Sequence, residues 1–143
     1  MNRKQKNLTN KGFSLVELII VIAIMAVLIG VLAPQYLKYV KKSKVSTDIQ
    51  NAEAIATAIN VAISDGQTVQ TSPISGVADG TATVTGVEGL DKLPASKVDS
   101  TYNWIITWDG SKGVTSITLD KAAAGGTHVQ IYPDASAYQT ANQ

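Results

Sequence analysis

This sequence contains no cysteine and only one histidine in 143 residues. The absence of cysteine excludes disulfide bonds, thiolate metal sites and thiol nucleophiles. The single histidine, His128, has no second metal-ligand candidate near it, and we interpret it as a surface or packing residue. The chain also lacks Gly-x-Ser-x-Gly, paired-histidine, nucleotide-binding and calcium-loop motifs. We therefore expect a protein that is not an enzyme and that has no catalytic residue, metal or cofactor.

Charge is divided unevenly along the chain, although the net charge is only +1. Residues 1–12 carry four basic side chains and no acid, whereas residues 45–143 carry four lysines against ten acids, a formal net of −6. Between them lies an apolar segment followed by a basic collar, which consists of Lys38, Lys41, Lys42 and Lys44. This layout is typical of a membrane-associated protein, whereas a nucleic-acid-binding domain more often carries its basic charge on the folded body. Nucleic acid is therefore not an expected partner.

The apolar segment is long enough to cross a membrane. From Phe13 to Ala33 only Ser14, Glu17 and Gly30 interrupt the aliphatic run. Twenty-one helical residues reach roughly 31 Å, against about 30 Å for the hydrocarbon core of a bilayer. An ionised side chain at the bilayer centre costs about 2.5–3.5 kcal/mol, so the carboxylate of Glu17 needs a compensating partner.

The hydrophobic period changes after this segment without an intervening loop. Apolar residues follow spacings of four and three along one helical face, at Val45, Ile49, Ala52, Ala56, Ile59 and Ile63. Four polar residues are assigned outside this stripe: Asp48, Gln50, Glu53 and Asn60. Asp65-Gly66 is a typical helix end. The pattern predicts one helix from 13 to about 64, apolar on all sides in its first half and amphipathic in its second.

The remainder of the chain predicts a small antiparallel sheet. Alternating apolar residues predict three strands, at 102–108, 114–119 and 128–132. Residues 109–113 read as a turn between the first two strands, and residues 66–89 as loop with a weak strand at 81–85. In the first strand Tyr102, Trp104, Ile106 and Trp108 are expected to face the core, which the helical stripe would cover.

The fold class is therefore predicted to be α+β, with a long amino-terminal helix packed on a small antiparallel sheet. The expected division is a basic leader at 1–12, a membrane-spanning helix at 13–34, an amphipathic helix at 35–65, and loop plus β-sheet head at 66–143.

Residues 12–17, Gly-Phe-Ser-Leu-Val-Glu, followed by the long aliphatic run, resemble the amino terminus of type IV prepilins and the related pseudopilins. The resemblance covers about residues 11–50. It implies a pilin-like fold, and it implies that a membrane-embedded prepilin peptidase cuts between Gly12 and Phe13 and methylates the new amino group of Phe13. Many pilins close a carboxy-terminal loop with a disulfide, so this chain must hold that segment otherwise.

The resemblance also implies a location and partners. The mature subunit is expected to wait in the cytoplasmic membrane as a single-span protein with its head outside. An assembly platform membrane protein and its ATPase would then extract it into a surface filament of identical or related pilins, whose core is a bundle of the apolar helices.

Three sets of residues are expected to serve assembly. The carboxylate of Glu17 would pair with the Phe13 amine of a neighbouring subunit, which sets the register. Pro34 cannot donate a hydrogen bond to the carbonyl of Gly30, so the segment between them is expected either to unwind in the filament or simply to kink. The basic collar would bind lipid phosphates or the acidic heads of neighbouring subunits.

Other functions remain open at this level. Residues 11–50 do not distinguish a pilus subunit from a pseudopilin of a type II secretion or DNA-uptake system. A single-pass membrane-anchored binding protein is a further alternative. A secreted enzyme with an ordinary signal peptide is disfavoured, because Val31-Leu32-Ala33, the one suitable cleavage site, is followed directly by Pro34.

Overall fold

The computed structural model describes residues 12–69, 74–77, 84–121 and 128–142. The chain divides into two compact units, Met1–Leu37 and Lys38–Gln143. Within the described residues, the first unit is the apolar beginning of a helix. The second unit contains the rest of that helix and a small sheet.

The first helix, α1, extends from Leu15 to Ser64, which confirms the predicted limits to within two residues. Its carboxyl end is closed by backbone hydrogen bonds from Gly66 N–H to the Ile63 carbonyl at 3.1 Å and from Gln67 N–H to the Ala62 carbonyl at 2.9 Å. This pair of bonds is a Schellman motif, which requires a left-handed residue at Gly66, where φ is +72°. A residue with a side chain adopts that conformation only with strain, so glycine defines the helix end.

The sheet has four antiparallel strands in the order β1-β2-β3-β4. Their bounds are Ile74–Val77 for β1, Tyr102–Asp109 for β2, Gly113–Lys121 for β3 and Val129–Tyr132 for β4. The three strands predicted from the alternating pattern are confirmed as β2, β3 and β4. The α+β fold class, a long helix with a small antiparallel sheet, is therefore confirmed as well.

The predicted loop at 66–89 is wrong at β1, which pairs with β2 so that Ile74 lies opposite Ile106. Four residues that include a glycine carry too little alternation to be recognised alone, and their pairing with β2 decides the strand. The weak strand predicted at 81–85 is wrong for Val84 and Thr85, which are not in a strand, and residues 81–83 lie outside the described part of the chain.

The core of the second unit lies between α1 and the sheet. All six residues of the predicted helical stripe take part: Val45, Ala52, Ala56 and Ile59 are buried, and Ile49 and Ile63 are partly buried against them. Trp104 and Ile106 of β2 are fully buried, and Tyr102 and Trp108 pack against the core at its margin. The prediction that the strand aromatics form sheet core is confirmed.

Asn60 fixes the hairpin between β2 and β3 against α1. Its side-chain Oδ1 accepts a hydrogen bond from Val114 N–H at 2.8 Å. A Cβ at Gly113, where φ is +78°, would collide with this same oxygen. The hairpin therefore needs glycine there both for its backbone conformation and for the close approach of the helix.

The prediction that Asp48 lies on the polar side of the helix is wrong, because its side chain is fully buried. Its Oδ2 accepts hydrogen bonds from Ser96 Oγ at 2.6 Å, Tyr138 OH at 2.7 Å and Val98 N–H at 3.2 Å. Its Oδ1 accepts one from Lys97 N–H at 2.6 Å. Four donors compensate for the loss of water, which is the condition for burying a carboxylate.

These bonds hold the carboxyl end of the chain without a disulfide. Tyr138 belongs to a short second helix, α2, at Ser136–Ala141, which the sequence did not predict. Its side chain is buried, and its hydroxyl reaches the carboxylate on α1. Burial, together with the neighbouring carboxylate of Asp48, raises the pKa of Tyr138 well above its ordinary value, so the hydroxyl keeps the proton that it donates.

We expect Tyr138→Phe to lower the free energy of unfolding of the second unit by about 1.5–3 kcal/mol, because it removes one hydrogen bond to a charged acceptor and little volume. Urea unfolding of the full chain in detergent, followed by the fluorescence of Trp104 and Trp108, measures the change. Tyr36→Phe makes the same substitution at an exposed position and is the matched control. Equal stability of both variants and the parent would contradict this role of the hydroxyl.

Candidate functional site

The candidate site begins where α1 begins. Ser14 is the residue before the helix, and its Oγ accepts a hydrogen bond from Val16 N–H at 3.3 Å. Its backbone N–H donates to Glu17 Oε2 at 2.9 Å. This reciprocal arrangement is a capping box in which the serine oxygen binds the second helical N–H in place of the third, and side chains satisfy two otherwise unpaired backbone donors.

Glu17 therefore has a partner inside its own chain. A carboxylate in the first turn also interacts favourably with the positive end of the helix dipole. The sequence interpretation, which looked for a partner in a neighbouring chain, missed this local role. The Ser-x-x-Glu spacing of residues 14–17 is the signal that would have revealed it.

The two residues before Ser14 are open to solvent. Phe13 is 93% exposed. A Cβ added at Gly12 would meet no atom within 4 Å. Nothing within the described residues therefore demands glycine at position 12. The Gly12–Phe13 bond and the candidate methylation site are accessible in this structure.

The helix that follows exposes an apolar surface on every side. Between Leu15 and Leu32 the large aliphatic side chains are each about half exposed or more. Within the described residues, α1 is the one helix long and apolar enough to cross a membrane, and none of its most apolar stretch is buried. Soluble monomers rarely expose a contiguous apolar surface of this size. Lipid or other helices must cover it.

Gly30 and Pro34 both lie inside α1. Because proline has no N–H, the carbonyl of Gly30 lacks the donor that a regular helix would supply. The structure places the two residues one turn apart in a helix that continues through them. The predicted unwinding of the segment between them refers to the assembled filament, so it stays a prediction.

The structure separates the basic collar into two parts. Three of its exposed lysines, Lys38, Lys41 and Lys42, line a groove beside Asn142. Lys44 is exposed too but does not line this groove. Three lysines of the collar therefore lie together on α1 beside the residue that follows α2, and Lys44 lies outside this group.

His128, interpreted as a surface or packing residue, has a side chain that is 61% exposed, with Nδ1 3.6 Å from Asp120 Oδ2. Within the described residues, no group of three or more histidine, cysteine, aspartate or glutamate side chains is placed to hold a metal ion.

Comparison with known proteins identifies the same amino-terminal segment. The family model for the prokaryotic N-terminal methylation motif matches residues 8–33. No solved structure matches the chain significantly.

Curated relatives extend the similarity beyond the motif. The chain is 32% identical to a type IV major alpha-pilin of Moraxella bovis over 113 residues, which cover 79% of this chain and 70% of the relative. It is 34% identical to a type IV major fimbrial protein FimA of Dichelobacter nodosus over 91 residues, which cover 64% of this chain and 53% of the relative. It is 37% identical to a fimbrial protein of Pseudomonas aeruginosa over 62 residues, 43% of this chain and 40% of the relative. The matches to FimA and to the Pseudomonas protein thus span only about half or less of those relatives.

Pro34→Ala should strengthen the helix around the unpaired carbonyl, because alanine supplies the missing donor and removes the steric conflict of the proline ring, which together cost about 3 kcal/mol in a helix interior. Amide hydrogen exchange of the full chain in detergent should slow at residues 31–33 and 35, the neighbouring positions that carry an amide hydrogen in both proteins. Leu32→Ala, which removes no hydrogen bond, is the control. Unchanged exchange in Pro34→Ala would mean that proline does not weaken the helix here.

Proposed function

Because this chain belongs to the type IV pilin family, we propose that it is a structural subunit of a type IV pilus. The observation that carries this proposal is the capped helix that begins directly after Gly12-Phe13 and exposes apolar side chains all round. A filament whose core is a bundle of such helices would cover that surface completely.

The proposal includes processing at the start of the helix. A prepilin peptidase cuts between Gly12 and Phe13, and the new amino group of Phe13 is methylated. The match of the methylation motif to residues 8–33 and the exposure of Phe13 support this step. Since the chain itself leaves room for a side chain at position 12, the requirement for glycine is assigned to the pocket of the peptidase.

Cleavage changes the surroundings of Glu17. It creates a positive amine at Phe13. This amine lies one residue before Ser14, whose backbone N–H donates a hydrogen bond to the Glu17 carboxylate in the uncleaved chain. In a membrane this carboxylate lies near the interface, where its cost is below that at the bilayer centre. In a filament core it lies in apolar surroundings and needs a charged partner. The Phe13 amine of the adjacent subunit is that partner in our proposal, and the head-to-tail contact repeats without closing.

The subunit is held in the cytoplasmic membrane by the apolar part of α1, with its head outside, before an assembly platform and its ATPase move it into the filament. The segment between Gly30 and Pro34 unwinds during this step. The curated relatives are described as major pilins and fimbrial proteins, which favours a pilus subunit over a pseudopilin. Surface filaments that contain this chain as their main component, seen by electron microscopy with mass spectrometry, would test that choice.

Gly12→Leu should leave the precursor uncut, because the peptidase must accommodate the residue before the scissile bond. The mass and the amino-terminal sequence of the membrane-held protein measure this, and Gly12→Ala, which adds a single methyl group, should be cut more than Gly12→Leu. Efficient cleavage of Gly12→Leu to a Phe13 start would contradict the proposed processing site.

Glu17→Ala should be cut and retained in the membrane but should form no filaments, because the Phe13 amine of the adjacent subunit loses its charged partner. Removing one member of a buried ion pair typically costs about 3–5 kcal/mol. The measurement is the amount of processed protein in the membrane and in sheared surface filaments.

Glu17→Gln separates the two roles of this side chain. Glutamine still completes the capping box but carries no charge. If the charge serves assembly, Glu17→Gln should fail as Glu17→Ala does. Normal filaments from the Glu17→Gln chain alone would assign Glu17 to helix capping and overturn its proposed role in register.

A further inference from the structure

Two grooves of opposite charge border the second-unit part of α1. The first, the basic groove, consists of two adjoining cavities of about 280 and 300 Å³ that share Lys42 and Asn142. Val45 and Ile49 give it an apolar floor, and Lys38 adds a further positive side chain at its edge. Among its described lining residues there is no acid.

The second, the acidic groove, lies at the carboxyl end of α1 and measures about 280 Å³. Asp65 and Glu88 line it, and both are exposed. Ala58, Val61 and Val87 give it an apolar floor, and Val61 is 54% exposed. Within the described residues neither carboxylate has an ion-pair partner, and no basic side chain lines the groove.

The two grooves both have apolar floors, and they are opposite in charge. Lys42 lies within α1, and Asp65 directly follows the helix, 23 residues later in the sequence. Along a helix this separation is about 34 Å. The basic groove of one molecule therefore cannot reach the acidic groove of the same molecule. Two copies can bring the grooves together when one is displaced along the helix axis by about that distance.

We propose that the acidic groove of one subunit lies against the basic groove of a second copy of this chain, with Asp65 and Glu88 pairing with the long side chains of Lys38 and Lys42. This inference rests on the proposed filament function and adds a second contact to it, between the folded units and separate from the helix core. The two surfaces differ, so the contact is heterologous and each subunit offers a free groove to the next. Opposite charges set the register of the encounter.

Zero-length carbodiimide coupling tests this contact, because it joins an amine to a carboxylate only where the two already touch. The full chain is prepared in detergent as an equal mixture of unlabelled and ¹⁵N-labelled protein, so that links between molecules carry mixed isotopes. We expect mixed-isotope links from Lys38 or Lys42 to Asp65 or Glu88. Asp91, an exposed carboxylate that lines neither groove, is the internal control. Links to Asp91 as frequent as those to Asp65 or Glu88, or no mixed-isotope links, would overturn the proposal.

Charge reversal gives a second, independent measurement. The double variant Asp65→Lys with Glu88→Lys should lose these links by roughly tenfold, since two attractions become repulsions, whereas Asp91→Lys should not. Adding Lys38→Glu and Lys42→Glu to the Asp65→Lys, Glu88→Lys double variant should restore links between the same positions. Absence of this rescue would overturn the proposal.

Two further outcomes separate the rival explanations. If Lys38 and Lys42 serve lipid phosphates, adding phosphatidylglycerol should abolish their links while reversal at Asp65 and Glu88 has no effect, and this result would overturn the contact between copies. Mixed-isotope links without surface filaments in cells would count against the pilus function alone. Filaments without such links would count against the paired grooves alone.

Discussion

The second unit depends on the hydrogen bonds that the buried carboxylate of Asp48 accepts. This carboxylate joins three parts of the chain that lie far apart in sequence: α1, the loop at 96–98 and α2 at the carboxyl end. Breaking this set would leave a charge without partners in an apolar core, which is far more costly than the loss of an exposed ion pair. A chain without cysteine thus holds its end by a polar cluster instead of a covalent bond. The position of α2 in turn places Gln139 and Asn142 beside the basic groove.

The single helix α1 meets two different chemical demands. In the first unit its apolar side chains are exposed on all sides, so its surroundings must supply the cover. In the second unit one face packs against the sheet, and the residues bordering that face form the two charged grooves. The capping box at Ser14 and the glycine at position 66 close the two ends, and each supplies hydrogen-bond partners for backbone groups that a helix end leaves without intrahelical ones.

Glu17 has an observed role in one state of the chain and a proposed role in another. In the uncleaved chain it caps its own helix. In the proposed mature chain a positive amine appears within the same turn. The balance between the intrachain cap and an intersubunit ion pair would then depend on how far water is excluded from the site. The capping geometry keeps the carboxylate at the helix terminus, which is where an incoming amine would have to find it.

The sequence by itself determined the features that depend on neighbours within a few residues. The limits of α1, its apolar and amphipathic halves, the hairpin of β2 and β3, and the motif at 12–17 follow from short-range periodicity, turn residues and spacing. Only the tertiary structure decided the burial of Asp48, the strand β1, the helix α2 and the grooves. Asp48 lies three residues after Val45 and four before Ala52, on the same helical face, but its residue type indicated solvent. Its partners are 48 to 90 residues away. A six-residue helix and a four-residue strand are too short to form alone, and they exist because the surfaces that stabilise them come from distant parts of the chain.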